Sequence, residues 1–195
     1  MSGVVAGFYG KLPARGDFVR AGLPRDFTDP WDEWLQSVIA GSQSIMGEAW
    51  LPAYLEAPIW RFSLPPGLCG TQGVLGLMLP SVDKANRYYP LTFAALHPNG
   101  IDPVEGEEWL ARSEAAGLAA LEQDAQPQEI TAMIDPPDLA GKSECDRESI
   151  WWSEGPASNA PVRITLLCLP NAATYATMLG DNADARGESR WESTP

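Results

Sequence analysis

Hydrophobic positions fall in short runs along this chain, and the runs follow two different spacings. Six runs have the length and apolar content of strands: residues 4–9, 59–64, 73–79, 90–96, 149–153 and 162–170. Residues 59–64 alternate between apolar and polar side chains, which predicts a strand with Arg61 and Ser63 on a solvated face. The runs at 59–64, 73–79 and 90–96 are joined by short links, which favour an antiparallel meander.

Helical patterns appear in four other segments. Apolar side chains recur every three to four residues in residues 28–41 as Trp31, Trp34, Leu35, Val38 and Ile39. Asp29 is the predicted N-cap and Pro30 suits the first turn. A second helical piece ends near Leu55 and is interrupted or restarted at Pro52.

Later segments complete the predicted elements. Residues 105–123 predict a helix whose apolar side is Trp109, Leu110, Leu118 and Leu121, and residues 172–179 predict a short closing helix. Together the patterns predict an α+β fold: a mostly antiparallel sheet of about five to six strands, flanked by helices on both sides in a single domain of residues 1–180. Residues 181–195 are expected to form a flexible tail.

Composition and charge narrow the classes of function. The formal net charge is −13, which argues against nucleic acid as a partner because phosphate binding depends on clustered Lys and Arg. The charge is uneven: residues 1–25 carry four basic side chains and one acid, whereas residues 100–160 carry three basic and fourteen acidic ones. This asymmetry indicates two unlike surfaces and a protein partner, although a solvated acidic face also explains it.

Membrane insertion and targeting are not expected. No stretch approaches the roughly 20 apolar residues of a membrane helix, and the first residues lack a basic region and an apolar core typical of a signal peptide. We therefore expect a cytoplasmic protein.

Little in the sequence indicates metal or nucleotide chemistry. The three cysteines are far apart in the chain, which predicts reduced thiols. Cys168 is expected in the core and Cys145 in a polar loop. The Gly-Lys of residues 10–11 is followed by Leu and Pro rather than Ser or Thr, so a phosphate-binding loop is excluded. We expect no metal and no cofactor.

Two polar loops contain more charged and aromatic side chains than a hydrophobic core requires. The candidate partner-binding residues are Gly10, Lys11, Arg15, Gly16, Asp17, Phe18 and Arg20 in the first loop, and Ser81, Asp83, Arg87 and Tyr88 in the second. Gly16 would allow a tight turn and the close approach of another backbone.

Two interpretations of these loops stay open. In one, Asp83 pairs with a basic group of the first loop and Arg87 pairs with Asp17, so the loops hold one another. In the other, the same groups form an arginine- and tyrosine-rich patch of the kind found at protein interfaces.

An enzymatic alternative uses the single histidine. Ser81, Asp83 and His97 would then line a cleft of a small hydrolase. The oligomeric state is expected to be a monomer or a weak homodimer.

Three strings carry a family resemblance. GFYGKLPARGDFVRAGLP, DPWDEWLQ and PSVDKANRYYPLTFAA resemble, in this order, the N-terminal domain of the TagF family, also called ImpM, which is associated with bacterial type VI secretion. Asn86 stands where the family pattern usually has glycine, a mild departure because Asn tolerates left-handed backbone. The resemblance implies a cytoplasmic accessory protein that represses secretion after translation by binding, without catalysis. The partner it implies is a forkhead-associated scaffold protein.

Overall fold

A single antiparallel sheet forms the centre of the computed structural model, which describes residues 3–123, 125–142, 147–154 and 161–180. Its strands are β1 (Val5–Gly10), β2 (Val19–Ala21), β3 (Trp60–Leu64), β4 (Gly73–Leu79), β5 (Leu91–His97), β6 (Ser149–Ser153) and β7 (Val162–Leu166). Their order across the sheet is β2-β1-β5-β4-β3-β6-β7. The predicted meander of β3, β4 and β5 is confirmed.

Helices cover both faces of this sheet. They are α1 (Arg25–Met46), α2 (Trp50–Leu55), α3 (Glu107–Gln123), α4 (Pro127–Met133) and α5 (Ala172–Leu179). Side chains of β4 alternate between two apolar clusters: Val74 and Met78 pack with residues of α1, α2 and α5, whereas Leu75 and Leu77 pack with residues of α3 and α4. The sheet therefore separates two helical layers, and the prediction of helices on both sides is confirmed.

The sheet has seven strands among the described residues, one more than the upper estimate of six. The additional strand is β2, which is only three residues long and lies inside a segment rich in Gly, Pro and Arg. Because so short a strand shows no periodicity, its pairing with β1 is visible only in three dimensions.

The predicted solvated face of β3 is wrong. Arg61 and Ser63 are only 6% and 5% exposed, and all five residues of β3 are buried. Polar residues on that face are covered by α3, from which Glu107 and Glu114 pair with Arg61. Alternation predicted the strand correctly but not the layer that covers it.

Helix α1 begins one turn earlier than predicted. Its N-cap is Pro24 rather than Asp29, so Pro30 lies inside the helix instead of in its first turn. The break after α1 falls at Gly47, whose positive φ of 56° ends the helix, and Pro52 is accommodated within the first turn of α2.

Three further expectations change with the structure. Leu118 is 43% exposed, because α3 packs on the sheet through small residues such as Gly117 and Ala120. Cys168 is exposed rather than in the core, since β7 ends two residues before it. Helix α4 was not predicted.

Cys145 and the predicted tail at 181–195 lie outside the described residues.

Candidate functional site

The two polar loops lie side by side at one end of the sheet. Strands β1 and β5 are antiparallel neighbours in the sheet, with Tyr9 opposite Thr92. The loop after β1 and the loop before β5 therefore lie at the same end of the two strands. The backbone N–H of Lys84 donates to the carbonyl of Arg15 over 3.0 Å, and Ser81 Oγ donates to the carbonyl of Lys11 over 2.7 Å. The fold thus brings together candidates that are about 70 residues apart in the chain.

Lys11, Asp83 and Arg87 form an ion cluster between the loops, hereafter the Asp83 cluster. Asp83 Oδ2 accepts from Lys11 Nζ at 2.5 Å and from Arg87 Nε at 2.6 Å. Asp83 Oδ1 accepts the backbone N–H groups of Ala85 at 2.8 Å and Arg87 at 2.9 Å. Arg87 also donates to the carbonyl of Gly16. Both carboxylate oxygens are therefore used to hold the two loops together.

The charge state of Asp83 follows from these bonds. Its side chain is fully buried, and burial acts to raise the pKa of a carboxyl. Hydrogen bonds from Lys11 and from the backbone and side chain of Arg87 outweigh this effect and hold the pKa of Asp83 well below its usual value. Asp83 is therefore an anion that organises the loops.

This arrangement corrects the hydrolase alternative. Ser81 is 6% exposed and its hydroxyl is used by the carbonyl of Lys11. His97 lies opposite Gly73 at one end of β4, whereas Ser81 follows Leu79 at the other end. At about 3.3 Å of rise per residue, roughly 20 Å of sheet separates the two side chains. Ser81, Asp83 and His97 therefore do not share a cleft.

Backbone conformation at the loop ends explains two of the motif residues. Gly10 has a φ of 148°, and a Cβ built there would lie 2.2 Å from the carbonyl oxygen of Pro90, so only glycine fits. Asn86 has a φ of 59°, which confirms the left-handed conformation expected of the residue that replaces glycine. The close approach of another backbone expected at Gly16 is not found among the described residues, because a Cβ there would meet nothing within 4 Å.

The interpretation of mutually held loops is confirmed for Asp83 and corrected for Arg87. Within the described residues Arg87 pairs with Asp83 and the Gly16 carbonyl rather than with Asp17. Arg15 is half-buried and donates to the side chain of Gln126 at the start of α4.

Part of each loop nevertheless faces solvent. The exposed side chains that are charged or aromatic are Asp17, Phe18, Arg20, Lys84 and Arg87, and we refer to these five as the loop surface. Phe18 is 43% exposed although the ammonium group of Lys11 lies 4.4 Å from its ring centroid. Tyr88 is half-buried against Trp50 and Tyr54, so it supports the second loop from beneath. The loops therefore hold each other and also present a surface.

Asp32 of α1 ties the aromatic residues near Phe18 to the helix. The hydroxyls of Tyr9 and Tyr89 donate to Asp32 Oδ1 over 2.9 and 2.8 Å, and Gln36 donates to Oδ2. Burial, followed by the bond to Asp32, raises the pKa of both tyrosines far above its usual value, so they remain donors. Phe18 stacks on Tyr9 at 5.3 Å and meets Tyr89 edge-on at 4.7 Å.

An open cleft of about 590 Å³ lies between β2 and the first turns of α1, and we call it the arginine cleft. Its lining residues are Tyr9, Phe18, Arg20, Arg25, Thr28, Asp29 and Asp32.

Sequence reasoning missed most of the cleft. Arg25, Thr28 and Asp32 are not among the candidate residues that the sequence indicates. The signal lay in Arg20, which sits opposite Tyr9 in a strand too short to predict.

No group of side chains that could bind a metal ion occurs among the described residues. Of the helices in the same ranges, none combines the length and apolar content that a membrane crossing requires.

Comparisons with known proteins define the class. The model of the TagF N-terminal domain, type VI secretion system-associated, matches residues 7–136 and so spans both loops, most of β1 and all of β2 to β5. A comparison with curated proteins gave no match. Among solved structures, the crystal structure of PA0076 from Pseudomonas aeruginosa PAO1 at 2.05 Å resolution is 35% identical to this chain. The match covers 97% of each chain with a TM-score of 0.79.

The molecule is thus a three-layer α/β domain with two interlocked loops. Its family match defines its class as type VI secretion-associated. The chain is a member of the TagF family.

Proposed function

We propose that this protein is a cytoplasmic, non-enzymatic repressor of type VI secretion that acts after translation by binding and sequestering a component of the secretion system. A forkhead-associated scaffold protein is the candidate partner, as the family resemblance implies. Membership of a type VI secretion-associated family supports the association with this system.

The observation that carries the binding role is the loop surface itself. Its five side chains belong to the matched family region, and three of them are cations on a chain with a net charge of −13. Arginine and aromatic side chains that are fixed in place contribute strongly to protein interfaces, because little conformational freedom is lost on binding.

The Asp83 cluster supplies this fixation. It ties the backbone next to Phe18 and Lys84 to a buried anion, so the exposed side chains start from a rigid base. A surface prepared in this way suits recognition of a partner, whereas no catalytic arrangement of Ser81, Asp83 and His97 exists on it.

The test compares three forms of the full chain as bait in lysate of the source bacterium. Wild type is expected to capture a forkhead-associated scaffold protein, and Lys84→Glu is expected to capture at least tenfold less, as measured by quantitative mass spectrometry. Lys84 takes part in the loop contacts through its backbone, so this change reverses a surface charge and leaves the Asp83 cluster intact. Arg112→Glu, an exposed charge reversal on α3, is the matched control and should capture as wild type does.

Sequestration has its own readout in cells. Overproduction of wild type should lower type VI secretion into the medium, and overproduction of Lys84→Glu should not. Failure of wild type to capture a secretion component, or equal capture by all three forms, would contradict the proposed role of the loop surface.

A further inference from the structure

The arginine cleft has features that neither the fold nor the loop contacts require. It opens beside Phe18 and is bordered by two exposed guanidinium groups from separate elements, Arg20 on β2 and Arg25 at the first residue of α1. Neither arginine forms an ion pair with any described residue. Two cations on one opening, without anions assigned to them, favour an anionic ligand.

A second, independent feature lies on the wall of the same cleft. Thr28 is 2% exposed, and its hydroxyl is buried without a hydrogen-bond partner in the structure. Buried hydroxyls are normally bonded, so an unpaired one beside an opening indicates a donor that a bound group could use. Thr28 lies in the first turns of α1, where the helix dipole also favours negative charge.

The two acidic residues of the cleft form no ion pair with its two arginines among the described residues. Asp32 keeps its negative charge, but both of its oxygens already accept bonds, from two tyrosine hydroxyls and from Gln36. The lining thus holds two carboxylates and two unpaired guanidinium groups, and Asp29 can accept an N–H group from a bound chain. The cleft therefore suits a ligand that offers both a carboxylate and amide N–H groups.

We propose that the arginine cleft binds an acidic segment of a protein partner, with an Asp or Glu carboxylate held by Arg20 and Arg25 and within reach of the Thr28 hydroxyl. This inference rests on the proposed function and specifies the chemistry that the partner presents. Lys84 and Arg87 are exposed on the second loop, and Arg87 donates to the carbonyl of Gly16, two residues before Phe18, so an extended acidic segment finds further cations near the cleft. A long polyanion such as nucleic acid fits less well, because the chain as a whole carries −13.

The test uses two synthetic peptides and the isotopically labelled full chain. One peptide, acetyl-EGEGEG-amide, carries carboxylates, and the other, acetyl-QGQGQG-amide, replaces each with a neutral amide of the same shape. In NMR titrations the glutamate peptide should shift the amide signals of residues 18–32, and the glutamine peptide should not. Arg20→Gln and Arg25→Gln should each weaken glutamate-peptide binding roughly tenfold. Thr28→Val, which keeps the shape and removes the hydroxyl, should weaken it several-fold.

Arg112→Gln is the matched control and should bind as wild type does. The unbound spectrum of each variant shows that it is folded. Equal binding of both peptides, shifts outside the cleft, or unchanged affinity in Arg20→Gln and Arg25→Gln would each overturn the inference.

The two proposals can fail separately. If the scaffold protein is captured but the glutamate peptide does not bind, the proposed function stands and the cleft is not the acidic-segment site. If the peptide binds as expected but no secretion component is captured, the cleft stands and the proposed function fails.

Discussion

Two buried charges organise two parts of this molecule in opposite ways. The Asp83 cluster has an anion at its centre and cations around it, with exposed side-chain fractions of 0% for Asp83, 6% for Lys11 and 59% for Arg87. The second group, hereafter the Arg61 cluster, has a cation at its centre whose side chain is 7% exposed. Its surrounding carboxylates are 53% exposed in Glu107, 31% in Glu114 and 75% in Glu154.

In each cluster the surface residues thus carry the charge opposite to that of the buried residue beneath them. A buried anion gathers basic residues at the loop end, and a buried cation gathers acidic residues over α3 and the end of β6. Part of the uneven charge along the sequence is therefore explained by the two buried charges, each of which pairs with residues of the opposite sign. This explanation also separates the clusters energetically, because removal of a central charge matters most where its neighbours cannot reach water.

The largest effect is expected from Asp83→Ala. This change leaves the Lys11 ammonium buried beside an apolar site and removes the acceptor of two backbone N–H groups. The thermal midpoint should fall by roughly 10 °C, as measured by calorimetry. Asp17→Ala, an exposed change in the adjoining loop, should leave the midpoint unchanged. A drop of less than 2 °C in Asp83→Ala would remove the basis for a rigid loop surface.

The comparison also shows where sequence reasoning stops. Strands such as β4 and the apolar face of α1 were predicted because their signal is the spacing of neighbouring residues. Each buried charge instead depends on partners far along the chain: Lys11 is 72 residues from Asp83, and Glu107 is 46 residues from Arg61. A basic partner for Asp83 in the first loop was anticipated, but only the strand register selects Lys11. The alternation in β3 predicts that Arg61 faces solvent, because the sequence of β3 contains no signal of the helix that covers it.

Acid should reduce the stability that the Asp83 cluster provides. Because the pKa of Asp83 is lowered in the folded protein, the unfolded chain takes up a proton on this carboxyl near pH 4, before the folded protein does. The stability from the cluster is therefore complete above about pH 4 and is lost as the pH falls toward the folded-state pKa.

Urea unfolding at pH 5, 4 and 3 measures this loss. Asp83→Asn keeps an acceptor for the two backbone N–H groups and cannot titrate, so its stability should fall less steeply than that of wild type. The difference should approach one proton in the slope of stability against pH. The lowered pKa of Asp26, due to its bonds from Thr71, is common to both proteins and cancels. Identical slopes would show that Asp83 is not the titrating group.

The smallest effect is expected from Arg61→Met, although Arg61 has more ionic partners than Asp83. Methionine fills the buried position on β3, and the three carboxylates left behind are near enough to water to be hydrated. The free energy of unfolding should fall by about 1–2 kcal/mol, as measured by urea denaturation at pH 7. Arg163→Met, on the exposed strand β7, should change it by less than about 0.5 kcal/mol. If Arg61→Met lowers the thermal midpoint as far as Asp83→Ala does, the exposure of the surrounding charges does not control the cost, and the contrast between the two clusters fails.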